Sequence, residues 1–197
     1  MVSVAPLFDR AFPGVPLHVA EAYRNAPEHT VAEILDGRLS LLPRPRPRHA
    51  KVATRLARAL GGFFDPNDGD PGGWVILVEP ELHLGSAPDV LDPDIAGWRR
   101  ERLPEEPSEA AITTPPDWVC EILSDSTEAM DRGPKRRIYR REGVTHLWLC
   151  DPRIETIEVY RLESGRFAEL ETCSGNIKVR PEPFNAVELD LGRLWRW

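Results

Sequence analysis

No apolar run in this 197-residue chain approaches membrane-spanning length. The first residues, with Asp9, Arg10 and Pro13 so early, lack the unbroken apolar core of a signal peptide. Cysteine is scarce. Cys120, Cys150 and Cys173 are odd in number and widely spaced, which excludes a disulfide framework and a CxxC metal pair. Two of them sit in strand-like apolar runs, so all three read as buried thiols in a reducing cytoplasm. The five histidines are scattered, which argues against His-ligated zinc and against a nucleophilic triad. There is no Gly-rich phosphate loop, because Gly61-Gly62 and Gly72-Gly73 lack the spacing, and no Gly-x-Ser-x-Gly elbow. Nor does any segment repeat. What is left is an ordinary globular composition, long enough for one domain over residues 1–197 with a sizeable core.

Positive charge is also missing where it would be needed for indiscriminate nucleic-acid binding, since the net charge is −7. Its distribution is more telling. Residues 64–94 contain no lysine or arginine but eight acids, among them Glu79, Glu81, Asp89, Asp92 and Asp94. Residues 38–58 are the reverse, with Arg38, Arg44, Arg46, Arg48, Lys51, Arg55 and Arg58 and no acid. A second basic cluster spans 132–141. A metal site flanked by phosphate-contacting surfaces has this pattern, and so do solvated helix faces.

Residues 1–16 read as an irregular arm and 17–23 as a short helix. Asp36-Gly37 between two apolar stretches, 31–35 and 38–42, predicts a tight N-terminal β-hairpin. The Pro-Arg alternation of 43–48 reads as an extended connector, and 49–64 as an amphipathic helix. Residues 65–73 read as a loop, 74–78, 81–84 and 94–98 as strands, and 85–93 as a turn-rich connection. After a polar loop over 125–133, Pro134 is placed to open a helix and Gly143 to close it. Residues 146–150 form a central strand, 156–162 an edge strand, and 166–172 its partner. The apolar tail 187–197 is suited to dock on the domain or on a second copy of it.

The stretch from Asp117 to Ser124 puts a carboxylate inside an apolar strand, with Val119, Glu121 and Leu123 on one face. A glutamate there needs a cation, a donor or a proton, and an arginine partner would suffice. Glu33 is a second acid in apolar company. Asp94 follows a proline at a strand start. Lys135 lies three and four residues before Ile138 and Tyr139, so it falls on the inward face of its helix, where a lysine either pairs or snorkels out. Hard carboxylate oxygens suit Mg²⁺ or Mn²⁺, and a lysine can orient a nucleophile.

Pro93-Asp94 followed by Glu121-x-Leu123-Ser124 resembles the PD-(D/E)XK nuclease superfamily. Within it the chain is similar to the bacterial Uma-type family of "putative restriction endonucleases". Supporting segments are Ala32-Glu33-Ile34-Leu35-Asp36-Gly37, Pro47-Arg48-His49, Val78-Glu79-Pro80-Glu81-Leu82, Asp131-Arg132-Gly133-Pro134-Lys135 and Trp148-Leu149-Cys150-Asp151-Pro152. The resemblance implies an α/β (mixed α+β), restriction-endonuclease-like core, a mixed central sheet flanked by helices. It implies a metal-dependent DNA endonuclease, a homodimer, with Asp94, Glu121 and Lys135 catalytic. The metal would be Mg²⁺ or Mn²⁺, held by Asp94, Glu121, the Ile122 carbonyl and Glu33. Arg44, Arg46, Arg48, His49, Arg132 and Arg136 would meet DNA. The chain departs from the family at Leu123, where the motif lysine should stand, and Lys135 is the expected substitute. Ser124-Asp125 also departs, because the family has proline second. Two rivals stay open: an inactive nuclease-fold scaffold or nucleic-acid-binding module, and a hydrolase of small phosphorylated substrates.

Overall fold

In a computed structural model, residues 12–64 and 73–197 are described. The N-terminal part of the predicted arm (1–11) and the predicted loop at 65–72 lie outside them. A short helix α1 (Leu17–Arg24) is followed by strands β1 (Thr30–Leu35) and β2 (Arg38–Pro43) and the long helix α2 (Pro47–Phe64). Then come β3 (Trp74–Val78), β4 (Leu82–Leu84), β5 (Asp89–Leu91), β6 (Ile95–Arg99) and β7 (Trp118–Ile122). A helical run follows, made of α3 (Glu128–Met130), a π turn (Asp131–Lys135) and α4 (Arg136–Arg141). The chain ends with β8 (His146–Asp151), β9 (Thr156–Glu163), β10 (Arg166–Ser174), β11 (Lys178–Val179), β12 (Leu189–Asp190) and α5 (Leu191–Trp195).

Six strands form the central sheet in the order β10-β9-β8-β7-β6-β3. Within it β7 and β8 are parallel and the other neighbours antiparallel, so the sheet is mixed. The parallel pair needs a crossover, and the 128–141 helical run supplies it. Alternation on β7 divides the core as period two requires. Trp118, Cys120 and Ile122 face α2 and α5, packing with Leu56, Leu60, Trp148 and Phe184. Val119 and Leu123 face α4 and the second sheet, packing with Ile138, Tyr139, Leu82 and Leu91. That second sheet, ordered β2-β1-β5-β4, carries α1 against it through Val19, Ala20, Ile34 and Val90. Helix flanking on both faces of a mixed sheet is the architecture the sequence implied.

The hairpin turn stands at Asp36 (φ 50°) and Gly37 (φ 72°), the left-handed pair a two-residue turn requires. Arg141 of α4 bonds both Asp36 and Asp89, tying the small sheet to the crossover helix. The tail docks on its own domain, with Leu189, Leu191, Leu194 and Trp195 in the α2-side core. All three cysteines are free and buried.

Four expectations are corrected. Helix α2 begins at Pro47, because the Arg46 carbonyl already accepts from Ala50 N–H and proline suits the first helical position. Arg48 and His49 therefore stand in its first turn. Residues 89–91, read as connection, form β5 between β1 and β4. Residues 156–163 are not an edge, since β8 and β10 flank them, and Tyr160 is buried. Finally, Pro134 does not open a helix but sits inside one. The wider π turn around it relieves the clash and lost donor that proline brings to a regular helix. Gly143 (φ 79°) does end the run, with Val144 N–H reaching back to the Tyr139 carbonyl at 2.9 Å.

Candidate active site

Strand β7 holds Glu121 rigidly, hydrogen-bonded on both sides and aimed at the crossover helix. The π turn and α4 present Asp131, Lys135 and Tyr139 at four-residue steps. Lys135 Nζ lies 2.8 Å from Glu121 Oε1, 3.2 Å from Glu33 Oε1 and 3.3 Å from Asp131 Oδ1. Its side chain is 4% exposed, so it pairs inward and does not snorkel. Tyr139 donates its hydroxyl to the same Glu121 oxygen at 2.5 Å. Glu121 is thus partnered by a lysine and a tyrosine, and among the described residues no arginine pairs with it.

Burial opposes charge on Lys135, yet Glu121 and Glu33 outweigh it and hold the ammonium well above its usual range. Burial pushes the Glu121 carboxyl well up, and Asp131, Asp94 and Glu33 add to this against the opposing pull of Lys135. Asp131 and Tyr139 are raised by burial as well. The directions agree: with several acids crowded about one ammonium, Lys135 keeps its proton while Glu121 and Asp131 resist losing theirs.

Asp94 stands one residue before β6 and is held from two sides. Its Oδ2 accepts the Ile122 N–H at 2.6 Å, and its Oδ1 lies 2.6 Å from His49 Nε2. Burial works against a charged His49 ring, but the Asp94 carboxylate wins and raises its pKa. Ile122 itself turns its side chain into the opposite core. Glu33, brought from the other sheet, accepts the Asp92 N–H at 3.1 Å through the oxygen that also faces Lys135. Its second oxygen, Oε2, is buried with no hydrogen-bond partner among the described residues, as is His49 Nδ1. Asp92 is pushed up to about 7 by burial and by the neighbouring Glu33 and Glu81.

All of these acids, with Lys135 and His49, line one cavity of about 960 Å³. Arg44, Arg46 and Arg48 line it too. Arg132 and Arg136 do not: Arg132 bridges Glu128 and Glu158, and Arg136 lies over the Tyr160 ring. Leu123, at the motif-lysine position, also lines the cavity, so the ammonium enters from the helix beside it. Sequence reasoning missed Asp92, Asp131 and Tyr139 as members of this group. Asp131 and Tyr139 carried a signal, since they lie four residues before and after an inward lysine. Asp92 carried none, because its neighbours come from distant segments.

A crystal structure described as "a putative nuclease belonging to DUF820", from Anabaena variabilis, superposes with a TM-score of 0.72. The match covers 89% of this chain and 96% of that one at 20% identity, a likeness of fold. No curated protein matches the chain. The profile of the Uma2 family, described as "Putative restriction endonuclease", matches residues 20–192. With most of its length matched, the chain belongs to the Uma2 family.

Proposed function

We propose that this cavity is the active site of a nuclease that hydrolyses phosphodiester bonds in DNA with the help of Mg²⁺ or Mn²⁺. The observation that carries the reading is the meeting of Glu33, Asp94, Glu121 and Lys135, from both sheets and the crossover helix, on one cavity. The donor set fits a hard divalent cation. Glu33, Asp92, Asp94, Glu121 and Asp131 line the cavity together with Lys135 and His49, and among the described residues Glu33 Oε2 is a buried acceptor with no donor. Among the described residues no three His, Cys, Asp or Glu side chains stand ready-made as a ligand set. Asp94, Glu121 and Glu33, with the Ile122 carbonyl, are the groups that would hold the ion.

When bound, such an ion lowers the pKa of water and offsets charge on a phosphate. The chain's own groups do the rest. Lys135 keeps its proton, offers an ammonium to the oxygen that gains charge, and is fixed by three acids, so no reorganisation is needed. Tyr139 holds Glu121 in register with it. His49 and the Ile122 amide fix both oxygens of Asp94. Arg44, Arg46 and Arg48 give the phosphate backbone a cationic approach.

Nicking of supercoiled plasmid, followed over a series of Mg²⁺ and Mn²⁺ concentrations, tests the reading. The wild type should nick, and Glu121→Gln should lose about 10²-fold or more. Failure to cut plasmid and single-stranded DNA alike under all ions, or equal cutting by the variant, would end it. One observation favours a second reading, a non-enzymatic scaffold: Lys135 already occupies Glu121 and Glu33 as a closed buried group. Calorimetric titration with Mn²⁺ separates the two, because a scaffold of that kind takes up no ion.

A further inference from the structure

We propose that the strand to be cut enters this cavity unpaired, so that the substrate class is single-stranded DNA or the unpaired part of a flap or end, and not an intact duplex. The inference rests on the nuclease reading and adds a statement about shape. The reacting groups form the floor of the cavity, with Glu33 and Glu121 each 1% and Lys135 3% exposed. The cavity above them has a volume of about 960 Å³. A duplex presents its phosphates on the outside of a broad, stiff cylinder, so it meets the rim before a phosphate reaches groups buried this deeply. A single strand has no such limit.

The rim suits a single strand. Arg46 and Arg48 are exposed and line the cavity. Arg46 makes no ion pair among the described residues, and the ion pair of Arg48, to half-buried Glu155, is 3.8 Å long. Pro45 and Pro47 stiffen the segment that carries them. Tyr23 adds a ring to the same wall, held by its edge-on contact with Phe12 and by its hydroxyl's bond to Glu81. Cationic groups tracking a backbone beside an aromatic ring are the usual means of binding single strands. The net charge of −7 leaves a duplex little general attraction to the rest of the molecule.

Two substrates without ends decide the matter: a single-stranded DNA circle and a relaxed, covalently closed duplex circle of the same sequence, both incubated with the whole protein in Mn²⁺. The single-stranded circle should be cut at least tenfold faster. In parallel, a short labelled single strand bound to the protein is challenged with unlabelled single-stranded, duplex and RNA competitors. The single-stranded DNA should compete at a concentration at least tenfold lower than the duplex. Arg46→Ala combined with Arg48→Ala, both on the surface, should weaken single-strand binding and lower the slope of log affinity against log salt by about 1.4. A duplex circle cut as fast as the single strand, or a duplex that competes as well, overturns the inference and leaves the nuclease reading standing. Better competition or faster cutting of RNA overturns the assignment to DNA. Cleavage of neither circle overturns the nuclease reading, and the competition series then judges strand entry alone: duplex preference, or no binding, ends it.

Discussion

Replacing Lys135 by methionine keeps the length of the side chain and removes the charge from the most crowded point of the structure. The vacated position lies 2.8 Å from a Glu121 oxygen, 3.2 Å from Glu33 and 3.3 Å from Asp131, and all four side chains are 1–4% exposed. Removing one partner of a buried ion pair costs about 3–5 kcal/mol, because the charge left behind is uncompensated. For a chain of this size each kcal/mol moves the melting temperature by about 2–4 °C, so the fall at neutral pH is roughly 6–20 °C. The sign of the pH dependence follows from Glu121. Its folded pKa is raised above the ordinary 4.5, so its contribution to stability is present below that value and is lost as pH rises through the folded pKa. Without Lys135 the rise is larger, and the penalty should shrink as the solution is made acidic. Urea unfolding of wild type and Lys135→Met at neutral and at mildly acidic pH measures both effects, with an unchanged slope against denaturant certifying that the same transition is compared. A variant within 1 kcal/mol of wild type at neutral pH, or a penalty that grows in acid, refutes the electrostatic account of this site. If the acids also accept a divalent cation, Mn²⁺ should raise the melting temperature of the variant by mass action.

Asp92→Asn should flatten the pH profile of stability. The Asp92 carboxyl is raised from 3.8 to about 7, so wild type loses stability as pH climbs between those values, and the amide has no proton to lose. Melting curves from pH 4 to pH 8 show the difference, and parallel profiles would contradict it. Gly97→Ala tests the packing beneath the site. An added Cβ would stand 3.1 Å from the Trp118 ring and 3.3 Å from that of Trp74, so the variant should lose about 1–3 kcal/mol by calorimetry. An unchanged melting temperature would mean that the two rings yield freely.

Features set by neighbours in sequence were legible, and features set by distant contacts were not. Asp36-Gly37 announced its hairpin because a two-residue turn admits few residue types. The alternation of Trp118 to Leu123 announced a strand buried on both faces. The inward phase of Lys135, one of three lysines in the chain, followed from its spacing to Ile138 and Tyr139. Strand β5 stayed hidden because three residues carry no periodicity, and only its pairing with Ile34 and with β4 makes it a strand. The helical run was misread at Pro134, since nothing local distinguishes a proline that opens a helix from one lodged in a π turn. Composition suggested two basic flanks to the site. The one at 44–48 lines the cavity, whereas Arg132 and Arg136 are engaged by Glu128, Glu158 and Tyr160.

The π turn has a bearing on how this chain can change its length. A regular helix advances about 100° per residue, and the 131–135 turn absorbs one residue beyond that rhythm. Losing a single residue there would turn Asp131 by about 100° around the axis relative to Lys135 and change the geometry of their pairing. Insertions in the irregular stretch between β6 and β7 carry no such consequence, because no side chain of the site is phased by its length. The count of residues between Asp131 and Lys135 is therefore as constrained as their identities, and related chains should vary freely in size before β7 while keeping this interval fixed.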